Sequence, residues 1–555
     1  MNNLNFLVKK KQKGGGYKWS TLEHNGVLFP APYEVHNIPL KYNGKDVTLN
    51  EIQEEAAMLY AKYINSEYIE NKTFNRNFWN DWKKLLGKDH EIQNLEECDF
   101  TEYYSKLLEE KGLQKNIVIN TESNTEDEIE IENALSRVNY GVTDKEEEKY
   151  KTAVIDGKIQ PVGNYRMEPP GIFLGRGDNP KLGKIKKRIM PEDVTLNIGK
   201  EAKIPKTLEG HSWGKIIHDR HVEWLCSWKD TITGKTKYLW LGQHSDFKAS
   251  SDREKFDLAR KLKRKIEFIR EENEKNLSSD DVKLRQISTA FYFIDNFALR
   301  VGNEKSSDET DTVGVTSLRI EHIELLENNS IALDFLGKDS VRYYNKLEVS
   351  EIIYKNIKEF TDNKNKNDDL FDFINSNDIN KYLQQFMKNL TAKVFRTYNA
   401  SYLFYKELKK ISRKYENSTD QSLLIDEFTK ANAKVAQLCN HQKNVGKSFK
   451  GQVEKIDSQI KKIKSKLRKA RKSSGETKED RILKLSEKLN KLKLKKELKQ
   501  EMKNISLGTS KANYIDPRIS ISFAKRHNIP LDKIFTKTLQ QKFQWALEVE
   551  SDFKF

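Results

Sequence analysis

Apolar positions recur every three or four residues across residues 51–64, and Phe74, Phe78, Trp79, Trp82 and Leu85 keep that interval. This repeat predicts helices, with the aromatic stripe as core rather than an exposed stacking platform. Further along, the period falls to two. Val222, Trp224, Cys226 and Trp228 alternate, Thr233-Gly234 supplies a turn, and Tyr238 and Trp240 follow. That pattern predicts a hairpin with one buried face. Helical spacing returns over residues 256–269 and 284–298 and over most of 382–407. Residues 331–335 and 341–345 predict a second hairpin, whose turn carries Gly337-Lys338-Asp339-Ser340.

Residues 445–505 stand apart. Val453, Ile456, Ile460, Ile463 and Leu467 fall three and four apart, Ser473-Ser474-Gly475 interrupts, and Ile482, Leu485, Leu489 and Leu492 resume. An antiparallel helical hairpin with a narrow apolar seam is expected. It holds 21 Lys and Arg against 8 Asp and Glu, and so carries most of the net charge of +16 of the 555-residue chain. Nothing in it suggests catalysis. A polyanionic partner is expected, although charge alone does not separate DNA from RNA or a membrane surface. Lys181, Lys184, Lys186, Lys187 and Arg188 follow the glycine- and proline-rich stretch 169–177. Small and basic residues together suit close approach to phosphates, and equally a solvated basic loop. The acidic stretch 120–133 reads as a solvated connector.

A chain this long is expected to form several domains with ample core. Cys98, Cys226 and Cys439 are widely spaced, which argues against a disulfide framework or a cysteine zinc site and for an intracellular chain. No apolar run is long enough to cross a membrane, and no HExxH occurs. Gly446-Lys447-Ser448 imitates the end of a P-loop, but His441 stands where the first glycine belongs. His218 and His221 lie beside a strand without an acidic or cysteine cluster and read as surface residues. Residues 1–16 read as a disordered basic tail. Within it, Lys9-Lys10-Lys11-Gln12-Lys13 is a candidate nuclear import signal.

Candidate chemistry centres on Ser510-Lys511-Ala512-Asn513-Tyr514-Ile515-Asp516-Pro517-Arg518. A phenol, with an ordinary pKa of about 10, is a weak nucleophile at neutral pH. Neighbouring cations make it useful by stabilising phenolate and the charge that grows during attack on phosphorus. The chain offers Arg300 in Ala298-Leu299-Arg300-Val301-Gly302-Asn303-Glu304-Lys305, at the end of an apolar helical run. It offers Arg396 in the string from Thr391 to Ser401, His441 in Leu438-Cys439-Asn440-His441-Gln442-Lys443, and Lys338 in its hairpin turn. Singly, each has an ordinary reading: a helix-end cation, a turn lysine, a core histidine, a surface tyrosine.

Together, these strings and their order of Arg, Lys, Arg, His and Tyr closely resemble the eukaryotic type IB DNA topoisomerase family. The resemblance runs from Tyr17 to Phe555, with the weakest match in 445–505. It implies that Tyr514 attacks a DNA phosphodiester and becomes joined to the 3′ phosphate. Arg300 and Arg396 would bind the non-bridging oxygens, His441 would donate to one of them, and Lys338 would protonate the leaving 5′ oxygen. It further implies DNA contacts at Arg176, Lys186, Lys187, Lys393, Asp339 and Asn513. Of these, Arg176, Asp339 and Asn513 match the family's camptothecin pocket. No cofactor and no catalytic metal are implied. Double-stranded DNA is the partner, without a membrane, for a monomer that is nuclear or virus-encoded.

The implied fold is α+β and mainly helical: a DNA clamp of a cap and a tyrosine-recombinase-like catalytic domain, with a helical-hairpin linker. The cap would combine a β-rich part, 17–34 and 132–245, with a helical part, 35–131. The catalytic core would span 246–444, the coiled-coil linker 445–505 and the nucleophile-bearing C-terminal domain 506–555. Family members carry a long charged N-terminal tail that is almost missing before Tyr17. A tyrosine recombinase would share the catalytic set, but not the cap-like half or the long basic hairpin. A basic chromatin protein would bind DNA in a salt-sensitive way without covalent adducts.

Overall fold

The computed structural model describes residues 16–112, 131, 133–303, 309–416, 420–442, 449–472 and 478–555. The basic tail, most of the acidic connector, Gly446-Lys447-Ser448 and the turn at Ser473-Ser474-Gly475 lie outside the described residues. The architecture is α+β and mainly helical, with several small sheets. Two compact units are distinguished. One runs to Ser250 and takes in Glu309 and Thr310; the other takes the remaining residues from Ser251 to Phe555.

In the first unit, helices Glu51–Ala61, Lys72–Leu86 and Thr101–Glu110 enclose one core. Asn50 caps the first helix with a reciprocal Gln53 bond, and Asn71 caps the second. Phe74, Phe78 and Trp82 are fully buried, as the one-sided stripe predicts. Ile172, Leu182 and Ile185 join this helical core from the two short strands Gly171–Ile172 and Ile185–Lys186 and the turn between them. Gly183 in that turn has φ +90°, and a Cβ there would lie 2.1 Å from the carbonyl oxygen of Phe74, so the turn closes on the helix only as glycine.

A second core lies between a three-stranded sheet, Leu22–His24, Thr152–Ile155 and Lys158–Pro161, and a four-stranded one. In the latter, Cys226–Lys229 pairs antiparallel with Thr236–Leu239. The expected hairpin is present, with Cys226 and Trp228 buried as expected, but on its second strand the inner position differs from the sequence expectation. Cys226 stands opposite Leu239, and both are buried, while Trp240 is 36% exposed. The ring of Tyr238 lies between those of Trp224 and Trp240, tilted to both, outside that core.

The second unit has one large core. The helix expected over 256–269 is two helices, Asp246–Leu262 and Ile266–Asn276. Helix Val282–Asn296 ends before Arg300, so the arginine is not a helix-end cation. The region 382–407 holds the end of Ser376–Phe386 and most of Ala392–Lys414. A three-stranded antiparallel sheet, Ile323–Leu326, Ser330–Gly337 and Val341–Glu348, carries the lysine turn. Helices Phe449–Lys472 and Lys478–Glu501 pack through Ile456, Ile460, Ile463, Leu467 and Leu489, with Ile482, Leu485 and Leu492 partly buried beside them.

Candidate active site

Arg300 sits in an irregular segment after a left-handed residue, Ala298 (φ +49°). Its carbonyl accepts from the amide of Val315 at 2.8 Å, and that of Val301 accepts from Thr316 at 2.7 Å. The two segments approach so closely that a Cβ on Gly314 would lie 2.5 Å from the backbone nitrogen of Gly302. Two residues before Val315, the amide of Val313 donates to the carbonyl of Leu336 at 2.8 Å, which ties this backbone to the lysine hairpin. Gly337 pairs with Val341, and Lys338-Asp339-Ser340 makes the turn, with φ +68° at Asp339 and +56° at Ser340.

Arg396 lies one turn into helix Ala392–Lys414, on its inner face, and is 4% exposed. Its Nη2 donates to the carbonyl of Cys439 at 2.9 Å, just beyond helix Gln421–Leu438. His441 follows two residues later. Its amide donates to Ala436 at 2.8 Å, and its carbonyl accepts from the amide of Ser506 at 2.7 Å. Gln442 bridges Ile505, so the histidine is fastened to the start of the tyrosine segment.

Tyr514 closes the short helix Leu507–Asn513. Lys542 donates to the carbonyl of Ala512 at 2.8 Å and Lys255 to that of Asn513 at 3.2 Å, two cations satisfying the last carbonyls of that helix. Downstream, Asp516 caps helix Pro517–Arg526, with proline at the first helical position. The carboxylate of Asp516 is fully buried and gripped by the guanidinium of Arg518, which also reaches Asp257 at 2.8 Å.

These elements bring Tyr514, Arg300, Arg396 and His441 together. The ring of Tyr514 lies 5.2 Å from that of His441 and 5.1 Å from the Arg396 guanidinium. Arg300 lies within electrostatic reach of the Tyr514 side chain. Burial and then the neighbouring Arg396 push the Arg300 guanidinium below its ordinary range. Burial, Arg396 and Arg300 together hold the His441 imidazole down at about 3, so it is neutral near pH 7. Nε2 of His441 and Nε of Arg396 are buried without a hydrogen-bond partner among the described residues. Two crowded guanidiniums and two unpaired ring or guanidine nitrogens make a pocket whose deficit is negative charge; an oxyanion would supply it.

Lys338 is exposed on its turn and is tied to the cluster through the main chain. Its neighbour Asp339 lies within electrostatic reach of Arg300. Lys393 is exposed one turn before Arg396 on the same helix, and Asn513 is exposed with its amide on the Thr509 carbonyl at 3.2 Å. Arg176 and Lys187 are exposed in the first unit, whereas Lys186 pairs with Glu168 there. Among the described residues, no group of His, Cys, Asp and Glu is spaced to hold a metal, and no helix is long and apolar enough to cross a membrane.

Sequence reasoning missed the residues that hold the cluster: Ser401, Ser510, Lys255, Lys542 and the Asp516–Arg518 pair. Only the last left a readable trace, since Asp-Pro before an apolar run marks a helix start.

Three family descriptions match the chain: "Eukaryotic DNA topoisomerase I, DNA binding fragment" over residues 17–241, "Eukaryotic DNA topoisomerase I, catalytic core" over 244–474, and "C-terminal topoisomerase domain" over 486–555. The chain belongs to the eukaryotic DNA topoisomerase I family. It is 42% identical to DNA topoisomerase 1 alpha of Arabidopsis thaliana, 41% to DNA topoisomerase 1 of Caenorhabditis elegans and 38% to that of Homo sapiens. These matches cover 98%, 98% and 97% of this chain, and 60%, 68% and 72% of the respective relatives. The chain thus spans about 60% of the length of the Arabidopsis relative.

Proposed function

We propose that this chain is a type IB DNA topoisomerase that relaxes supercoils of either sign by cutting one strand, permitting rotation and resealing. The convergence of Arg300, Arg396 and His441 on the Tyr514 side chain carries this reading. The phenolic oxygen of Tyr514 attacks phosphorus. The two guanidiniums and the imidazole N–H bind the non-bridging oxygens. The bond to the 5′ oxygen breaks, and Lys338 gives that oxygen its proton. A 3′-phosphotyrosine and a free 5′ hydroxyl result. Reversal restores the phosphodiester, so no nucleotide is consumed.

DNA is the partner because the pocket lacks only anionic oxygens and the relatives are DNA topoisomerases by name. The DNA-binding description over 17–241 supports a cap formed by 17–34, 35–131 and 132–245, with Arg176, Lys186 and Lys187 on phosphates. The second unit supports a tyrosine-recombinase-like core over 246–444 and a C-terminal domain over 506–555, with Lys393, Asp339 and Asn513 near the cut. The helix pair within 445–505 is the linker. The enzyme acts as a monomer in the nucleus, and Arg176, Asp339 and Asn513 make it a camptothecin target.

Relaxation of an arbitrary plasmid in EDTA without ATP is the test. The parent should relax it and leave protein on the 3′ end after denaturation, and Tyr514→Phe should bind DNA but do neither. Site-restricted activity would indicate a recombinase, and a 5′ adduct would overturn the assignment of Lys338.

A further inference from the structure

His441 is 5% exposed and is held at three points, two on its backbone and one on its ring. Ala436 and Ser506 fix its backbone, and Nδ1 lies 2.7 Å from the hydroxyl oxygen of Ser510, four residues before the nucleophile. A neutral imidazole carries one proton, and the bond at one nitrogen decides which nitrogen keeps it. Only Nε2 remains to face the pocket.

We propose that Ser510 is a positioning residue: its hydroxyl donates to Nδ1 of His441 and so fixes the ring with its proton on Nε2, an N–H donor beside Tyr514. This rests on the reading above, in which a phosphate oxygen occupies the pocket. Three observations carry it. First, Nε2 is buried and unpartnered, as is Nε of Arg396. A lone pair on Nε2 among two guanidiniums would accept from one of them, whereas an N–H there has no acceptor until an anion arrives. Second, burial and then the two neighbouring guanidiniums keep the ring neutral at working pH, so the tautomer rather than the charge decides whether it can donate. Third, Ser506 and Ser510 belong to the segment that ends in Tyr514. Seating the nucleophile and orienting the donor are therefore one event.

The test uses the full chain with ¹⁵N-labelled histidine, the His441 signals being assigned by their loss in His441→Gln. The parent without DNA should show His441 with its proton on Nε2, and a proton on Nδ1 overturns the proposal without any variant. Ser510→Ala should slow single-turnover formation of the covalent complex on the order of tenfold, with DNA affinity unchanged. Ser510→Thr, which keeps the hydroxyl, should restore it. In a His441→Gln background, whose amide donates whatever the neighbour does, Ser510→Ala should cost almost nothing more. Equal losses in both backgrounds would mean a structural role only and would sink the idea. A parent that forms no covalent complex would overturn the proposed function instead, leaving the tautomer measurement to decide on Ser510.

Discussion

The hydroxyl of Ser401 donates to the carbonyl oxygen of Tyr514 at 2.9 Å and accepts from the amide of Asp516 at 2.9 Å. Ser401 lies on the same helix as Arg396, so one element aims a guanidinium and fixes the backbone of the nucleophile. Ser401→Ala should therefore slow strand cleavage roughly 10- to 100-fold, the scale of a small misplacement of reacting groups. DNA affinity should stay near parental. Single-turnover cleavage beside a filter-binding titration would check both.

The low value of His441 makes stability depend on pH. The unfolded chain takes up a proton as pH falls through the ordinary 6.5, and the folded chain only near 3. Above 6.5 both forms are neutral and the full contribution is present. Between those values, falling pH favours the unfolded chain. His24, held down at about 4 by burial, acts in the same direction. Between about pH 7.5 and about pH 5, the parent should lose a few degrees more in Tm than His441→Gln. Calorimetry of the DNA-free protein would show it, and identical losses would contradict a buried neutral ring.

If Lys338 is the general acid, its loss should matter only when the leaving oxygen needs a proton. Lys338→Ala should cut cleavage of ordinary DNA by about 100-fold or more. A substrate with sulfur in the 5′ bridging position leaves as a stable thiolate and should be cleaved by this variant at close to the parental rate. Failure of the sulfur substrate to rescue would assign Lys338 to binding.

Arg518→Met should be the most destabilising of these changes. It leaves Asp516 with no exposure and without its guanidinium, a situation that costs about 3–5 kcal/mol. Urea denaturation should report the loss. Asp516→Asn combined with Arg518→Met should recover part of it, since no buried charge is then unpaired.

Much of the fold could be read from period and turn chemistry. Phe74, Phe78 and Trp82 form a one-sided stripe long enough for the helical repeat to be unambiguous. In the hairpin 226–239 the strands have four residues each, too few for alternation to fix the register. The large rings of Tyr238 and Trp240 suggested the inner face, but pairing gave it to Leu239. The break between Leu262 and Ile266 has neither proline nor glycine. There Lys265 reaches the carbonyl of Phe386 at 3.0 Å, a contact local spacing cannot encode. The reactive side chains were legible because their neighbours form distinctive strings. Ser401 and Ser510 were not, because a serine acquires such a role only from a partner brought in by the tertiary fold.

The crossing of Gly302 and Gly314 has a consequence for anyone mapping this chain by random mutagenesis. Neither glycine carries a reactive group, yet a methyl on either would collide with the opposite backbone and push Arg300 out of register. In a selection for DNA relaxation, both positions should tolerate change as poorly as Tyr514 does. A map of intolerance would record where two strands of backbone touch as sharply as where bonds are made, and only an assay that separates folding from turnover would tell the two apart.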